Sequence, residues 1–189
     1  MTAADPRLDA LATAVRESLV GMALVDAVPI RPHQVRRSTS PVCWSWVEFQ
    51  APRRGRLCLV QPLELGRDVV AIMTGVTVDR VDDADAVDAL GELCNVIAGR
   101  FLGYRYGDAA APIVGIPRSG RGTPDIRRGQ WRGQTFRTGD WWLAVFVSEA
   151  THDPATAAVE VSDHRGAPTA RPGDVDIGRE ETGTAAYRR

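Results

Sequence analysis

Residues 84 to 103 separate apolar from polar positions with the period of an α-helix. Asp88, Glu92 and Asn95 advance by four and then three residues, which puts them within about one sixth of a turn of each other. The apolar positions fall on the opposite face at helical spacing: Leu90, Leu93, Cys94, Ile97 and Phe101. The pattern predicts a central helix with one buried face and an outward cluster of two carboxylates and one amide.

The residues before this helix predict a helix, a hairpin and a second helix. A helix is expected from Pro6, at its first turn, to about Val25. The proline- and arginine-containing segment 29–41 is expected to be an exposed connector. Alternating side chains in 42–50 and 55–61 predict an antiparallel hairpin. Pro62 then opens a short helix that ends at Gly75.

The residues after the central helix predict further strands around a basic loop. Segment 112–117 is bounded by prolines and is expected to be a strand, at an edge or with the prolines at its ends. Residues 118–133 are rich in arginine and glycine, which predicts a mobile basic loop. Residues 134–138 and 141–149 are expected to form a closing antiparallel pair, with Gly139 and Asp140 near the turn.

The C-terminal residues lack this patterning. A short strand is possible at 158–161, and from residue 164 Gly, Pro, Thr and charge occur without period. The sequence therefore predicts one domain over residues 1–163 and a disordered tail over 164–189. The expected fold class is α/β, in the α+β sense: a mostly antiparallel sheet packed against about three helices.

The polar cluster holds the only asparagine of the chain. Asparagine is a poor residue inside a helix because its amide competes for backbone hydrogen bonds. Gly91 and Gly99 flank the cluster, and each costs about 0.8–1 kcal/mol relative to Ala in a helix. Two interpretations remain open: a solvated acidic face, or a face that another molecule approaches closely. Asp82, Asp83 and Asp85 precede the helix and are interpreted as N-terminal capping residues rather than metal ligands.

The run from Gly91 to Gly99 reads G-E-L-C-N-V-I-A-G. Together with Asp88 and a downstream proline, Pro117, it resembles the G-E-x-x-N-x-I-x-G core of the CheC/CheX/FliY chemotaxis phosphatases. Only one such helix is present, as in the CheX-like branch. The order of hairpin, helix and motif helix also resembles the CheX-like pattern.

The resemblance implies hydrolysis of the aspartyl phosphate on a CheY-like receiver domain. Asn95 would orient the attacking water, and Glu92 would pair with an invariant cation of the receiver. Asp88 would occupy a third signature position with a less defined role, and Pro117 matches the family proline only approximately in spacing. The resemblance also implies that this chain binds no cofactor of its own, and Mg²⁺ is expected on the receiver. CheX-like proteins can also pair as homodimers through sheet edges.

Two other classes of function remain open. A non-catalytic adaptor of the same fold would dock a receiver or another two-component partner without hydrolysing it. An unrelated α/β binding domain would carry the pattern by accident, and its polar helix face would be buried in the monomer. We expect Gly91, Glu92, Asp88 and Gly99 to contact the partner, and Arg118 and Arg121 of the basic loop to steer an acidic receiver.

Composition narrows these classes. The formal net charge is −1, which does not favour a general nucleic-acid binder. All 23 basic residues are arginine, so lysine-dependent chemistry, such as a Schiff base, is excluded for this chain. Three widely spaced cysteines without a C-x-x-C motif predict buried free thiols, and no metal site is expected. With no long apolar segment or signal-like start, the expected location is the cytoplasm.

Overall fold

The computed structural model describes residues 5–35, 39–50, 52–107, 112–124, 126 and 131–149. In these residues seven strands form one sheet and three helices pack against it. The elements are α1 (Pro6–Ala23), β1 (Val28–Ile30), β2 (Val42–Gln50), β3 (Gly55–Pro62), α2 (Leu63–Thr74), α3 (Asp83–Tyr106), β4 (Ile113–Val114), β5 (Arg118–Arg121), β6 (Arg132–Thr138) and β7 (Trp141–Glu149). Short 3-10 turns occur at Pro32–Gln34 and Val78–Arg80.

Every strand pairing in the described sheet is antiparallel. The order across the sheet is β1, β6, β7, β3, β2, and both β4 and β5 then pair with the free side of β2. The chain segment after α3 therefore forms one edge of the sheet. This edge matters because β4 and β5 also pack against α3.

The core lies between one face of the sheet and the three helices. The apolar face expected for the central helix is buried in it, with Leu90, Leu93, Cys94, Ile97 and Phe101 at most 1% exposed. On the sheet, alternate residues of β2 reach the same core, including Val47 and Phe49. The predicted combination of an antiparallel sheet with helices is confirmed, and α3 lies in its middle, against α1, α2 and β2.

A smaller apolar cluster covers the opposite face of the sheet. It centres on Cys58, Val60, Trp142 and Ala144, with partly buried aromatic side chains around them. Trp46 is one of these, and the guanidinium groups of Arg56 and Arg118 lie 5.0 and 5.5 Å from the centre of its ring. The tryptophans of β2 therefore belong to the face that carries no helix.

Helix ends follow the capping rules. The Asp5 side chain accepts a 3.0 Å hydrogen bond from the backbone of Arg7, and Pro6 follows as the first helical residue of α1. The Asp82 side chain caps α3 through the backbone of Asp85. Gly75 ends α2 in the left-handed region at φ 70°, as the sequence predicts.

Several expectations were wrong. The connector at 29–41 contains part of β1, which pairs with β6. Of the strand expected at 112–117, only Ile113–Val114 forms β4. The expected mobile basic loop begins instead with strand β5, because residues 118–121 pair with β2. The short strand expected at 158–161, the tail at 164–189 and the end of the domain at 163 lie outside the described residues.

None of the helices in the described residues combines the length and apolar character that crossing a bilayer requires.

Candidate functional site

The N-terminal end of α3 is tied to α2 and β5 by charge. The Asp83 carboxylate forms ion pairs with Arg67 of α2 and, at 2.8 Å, with Arg121 of β5. The hydrogen bond from Arg67 lowers the pKa of Asp83, and the charge of Arg121 lowers it further. These contacts fix where β5 runs relative to α3, and β5 decides which part of the helix is covered.

Strand β5 passes directly over Gly91. A Cβ placed on Gly91 would lie 3.2 Å from the Ser119 Oγ and 3.6 Å from the Pro117 Cγ. Ser119 itself donates to the Ser45 Oγ at 3.0 Å, which links the edge strand to β2. Gly91 is therefore buried by its own chain, and the expectation that it offers a bare flank to a partner is wrong. A close approach does occur there, but β5 makes it.

The other motif residues lie at increasing angles around the helix from Gly91. With about 100° per residue, Asn95 lies about 40° around the helix from Gly91, Asp88 about 60°, Gly99 about 80° and Glu92 about 100°. Asn95 is half-buried, whereas Asp88, Gly99 and Glu92 are exposed. A Cβ on Gly99 would meet nothing within 4 Å. The predicted outward cluster is thus a solvent-facing stripe, which we call the α3 stripe: Asp88, Glu92, Asn95 and Gly99.

The carboxylates of the α3 stripe have no bound partner within the part of the chain that the structure describes. Among the described residues, neither Asp88 nor Glu92 forms a side-chain hydrogen bond or an ion pair. Other carboxylates of the same layer are paired, such as Glu17 with Arg100. The stripe is therefore a local patch of unneutralised negative charge, suited to a cationic group on another molecule.

Asn95 stands where the stripe meets the β4–β5 edge. Its Oδ1 is buried and has no hydrogen-bond partner in the described part of the chain. Amide oxygen and nitrogen are assigned from hydrogen-bond networks, so the observation is that one end of the amide is buried and unpaired. No internal hydrogen bond of Oδ1 has to break when this amide engages another molecule.

The predicted steering arginines do not lie beside the α3 stripe. Arg118 stacks over Trp46 on the opposite face of the sheet. Arg121 is paired with Asp83, which precedes Glu92 by nine residues, about 13 Å along the helix. Pro117, in contrast, lies close to the motif through Gly91. The sequence indicated Gly91, because a helix interior does not favour glycine. Nothing in the sequence indicated that Ser119 would lie against it.

The cysteines are not part of the chemistry. All three are buried free thiols, as predicted. Burial raises the pKa of Cys94 to about 12 and that of Cys43 to about 11, and it also raises the pKa of Cys58. At neutral pH these side chains are protonated and poor nucleophiles. In the described residues, no three His, Cys, Asp or Glu side chains form a group that could hold a metal ion.

Comparison with protein families matches residues 44–116 to the family described as chemotaxis phosphatase CheX. This segment runs from β2 to the residue before Pro117 and includes the whole α3 stripe. Residues 44–116 of this chain are therefore similar in sequence to the CheX family. A search among curated proteins finds no match.

Solved structures show the same fold. A chemotaxis protein CheX from Desulfovibrio desulfuricans is 19% identical with a TM-score of 0.62, and the alignment covers 77% of this chain and all of that one. The CheX of Vibrio vulnificus is 15% identical with a TM-score of 0.63, covering 79% of this chain and 100% of its own. The CheX-CheY-BeF3-Mg²⁺ complex from Borrelia burgdorferi is 18% identical with a TM-score of 0.56, covering 77% of this chain and 96% of the other. The CheX-like fold expected from the sequence is confirmed.

Proposed function

We propose that this CheX-like domain hydrolyses the aspartyl phosphate of a CheY-like receiver domain. The observation that carries the proposal is the α3 stripe: Glu92 is exposed and unpaired, and Asn95 follows one turn later with an unbonded amide oxygen. Both residues lie in the segment that matches the chemotaxis phosphatase family. A relative of the same fold has been solved with CheY, BeF3 and Mg²⁺.

Glu92 is the docking residue in this proposal. An exposed carboxylate with no internal partner pairs with a lysine or arginine beside the receiver's phosphorylated aspartate. Such an ion pair fixes the register of α3 against the receiver more than it adds affinity. Residues 88 and 99 are exposed on the same side of the helix, so a partner can follow the stripe along its length.

Asn95 is the catalytic residue in this proposal. Its half-buried position beside the β4–β5 edge restricts the side chain, and a carboxamide can both donate to and accept from a water molecule. Holding that water in line with the phosphorus–oxygen bond is worth on the order of 10²-fold in rate, about 3 kcal/mol of barrier. The receiver supplies the Mg²⁺, which neutralises phosphoryl charge when bound. None of the residues of the stripe is assigned to hold that ion.

The test is the decay of phosphorylated receiver domains from the same genome, with Mg²⁺ present. The wild-type protein is expected to accelerate the decay of at least one receiver. Asn95→Ala is expected to lower the rate at saturation by about 10²-fold, and Glu92→Ala to raise the protein concentration needed for half-maximal rate. Both variants are expected to stay folded, because Glu92 is exposed and the half-buried Asn95 loses no hydrogen bond of its Oδ1 within the described residues.

The matched control is Asp79→Ala. Asp79 is another exposed carboxylate, but it lies in the 3-10 turn before α3 and not on the stripe. Its removal is expected to leave binding and decay unchanged. Failure to accelerate the decay of any receiver, or full activity of Asn95→Ala, would contradict the phosphatase proposal.

The covered oxygen of Asn95 favours one alternative, a CheX-like adaptor. The Glu92 side chain is freely accessible, whereas the Oδ1 of Asn95 is buried. A domain that only docks needs an accessible Glu92 side chain but does not need an accessible Asn95 amide. The adaptor predicts receiver binding that Glu92→Ala weakens, together with an unchanged decay rate of the bound phosphorylated receiver.

A further inference from the structure

The sheet edge beside α3 contains one extra residue. Val114 pairs with Phe49 of β2, and Arg118 pairs with Trp46. Three residues, 115–117, therefore face the two residues 47 and 48 of β2, which is the arrangement of a β-bulge. Bulges bend a strand and redirect its side chains, and they are frequent next to active sites.

This bulge sends two neighbouring side chains in different directions. Pro117 turns inward and packs against Gly91. Ile116 turns outward and is 90% exposed, the largest exposed fraction among the large apolar side chains of the described residues. Isoleucine is normally among the most buried residue types. The excursion is part of the edge, because the backbone N–H of Gly115 donates to the Glu48 carbonyl at 2.8 Å.

Ile116 lies within the width of one protein interface from the α3 stripe. Pro117 and Gly91 are in contact, and Ile116 and Glu92 are their respective chain neighbours. With 3.8 Å between consecutive Cα atoms, the Cα atoms of Ile116 and Glu92 lie within roughly 15 Å of each other. An interface of standard size covers about 800 Å² of each partner, roughly 28 Å across. A protein with a footprint of this size, docked on Glu92 and Asn95, is large enough to cover Ile116 as well.

We propose that Ile116 is the apolar anchor with which this domain binds the receiver, inserting into an apolar depression beside the receiver's phosphorylation site. The inference rests on the proposed function. The α3 stripe offers charge and an amide, and exposed ion pairs contribute little affinity. Interfaces draw most of their affinity from a few side chains that become fully desolvated. Ile116 has the largest exposed fraction of the large apolar side chains in the described residues.

A second copy of the chain fits this edge less well than a receiver does. Pairing of two sheet edges needs a regular row of free N–H and C=O groups. Here Pro117 has no N–H to donate, and the bulge interrupts the register. The bulge therefore makes the edge a poor template for another strand, and it also exposes Ile116.

The experiment measures the dissociation constant for receiver domains loaded with beryllofluoride and Mg²⁺, for the wild type and for Ile116→Ser. The variant is expected to bind at least about tenfold more weakly, equal to 1.4 kcal/mol, with the dephosphorylation rate at saturation unchanged. Ile116→Val is expected to retain most of the affinity. The control is Ile72→Ser on α2, where the isoleucine is also exposed, at 48%, but lines a groove with Val76, Val78 and Trp141.

The outcomes separate this inference from the proposed function. If no receiver binds the wild type, both are overturned. If Glu92→Ala weakens binding and Ile116→Ser does not, the anchor is overturned and the docking of α3 stands. Equal weakening by Ile72→Ser would also overturn the anchor, because the effect would not be specific to the edge. A loss of self-association measured by light scattering, with unchanged receiver affinity, would assign Ile116 to contacts between copies.

Discussion

Of the three glycines inside α3, Gly91 is expected to respond to replacement by alanine differently from Gly99 and Gly103. A helix-interior glycine costs about 0.8–1 kcal/mol relative to alanine. At Gly99 and Gly103 an added Cβ meets nothing within 4 Å, and both residues are exposed. Gly99→Ala and Gly103→Ala are therefore each expected to raise the free energy of unfolding by about 0.8–1 kcal/mol.

At Gly91 the same gain is offset by the strand above it. The added Cβ would lie 3.2 Å from the Ser119 Oγ, so Ser119 must move by a few tenths of an ångström. Its 3.0 Å hydrogen bond to Ser45 is then lengthened. Such a bond contributes about 0.5–1.5 kcal/mol, which is similar to the helical gain. Gly91→Ala is expected to change stability by less than about 0.5 kcal/mol, and to fall about 1 kcal/mol below Gly99→Ala.

Urea denaturation followed by far-ultraviolet circular dichroism measures these differences in the free energy of unfolding. Thermal denaturation is a second measurement, since 1 kcal/mol shifts the melting temperature by about 2–4 °C in a domain of this size. Ser119→Ala removes the atom that crowds the new Cβ, so combining it with Gly91→Ala should show non-additive recovery of the helical gain. If Gly91→Ala stabilises as much as Gly99→Ala, β5 does not lie against α3. That result would also remove the placement of Pro117 and Ile116.

Two further predictions concern titratable groups. Because burial raises the pKa of Cys94 to about 12, a disulfide reagent at pH 8 should label this thiol at least about 10³-fold more slowly in the native protein than in urea. Rapid native labelling would contradict its burial between α3 and the sheet. The hydrogen bond from Arg7 lowers the pKa of Asp5 in the folded state, so its contribution is present above the unfolded value of 3.8 and is lost as pH falls through the folded value. Asp5→Asn keeps the capping oxygen but not the charge, so the variant should be less stable than the wild type by up to about 1 kcal/mol at pH 6. Urea titrations should show this difference in stability closing below pH 4. A difference that does not change with pH would refute the role of the Asp5 charge.

The sequence predicts the central helix and the hairpin because their information is local. In α3 the apolar period and the Asp82 cap point to the same element. Strand β5 could not be predicted in this way, because the apolar part of its pairing comes from β2. The Trp44 ring lies over Gly120, whose added Cβ would be 2.8 Å from it. From the sequence alone, a strand that carries glycine under its neighbour's tryptophan resembles a loop.

The residues of the candidate site also differ in whether the sequence alone predicts their exposure. Exposure of Glu92 follows from helix geometry, since it lies on the side of α3 opposite the buried apolar residues. Burial of Gly91 and half-burial of Asn95 depend on where β5 crosses the helix, and that position is set by a pairing between residues 43–46 and 118–121. Helical periodicity contains no information about that pairing. The partner-facing role of Arg118 and Arg121 stays a prediction.

The position of β7 has a consequence for biosynthesis. This strand, residues 141–149, lies between β6 and β3 in the interior of the sheet, yet it is the last strand of the described chain to be translated. Until it emerges, β3 has an unpaired side, and apolar residues such as Leu57 and Leu59 lack the neighbouring strand that flanks them in the native sheet. The sheet can therefore be completed between β6 and β3 only after β7 has been translated.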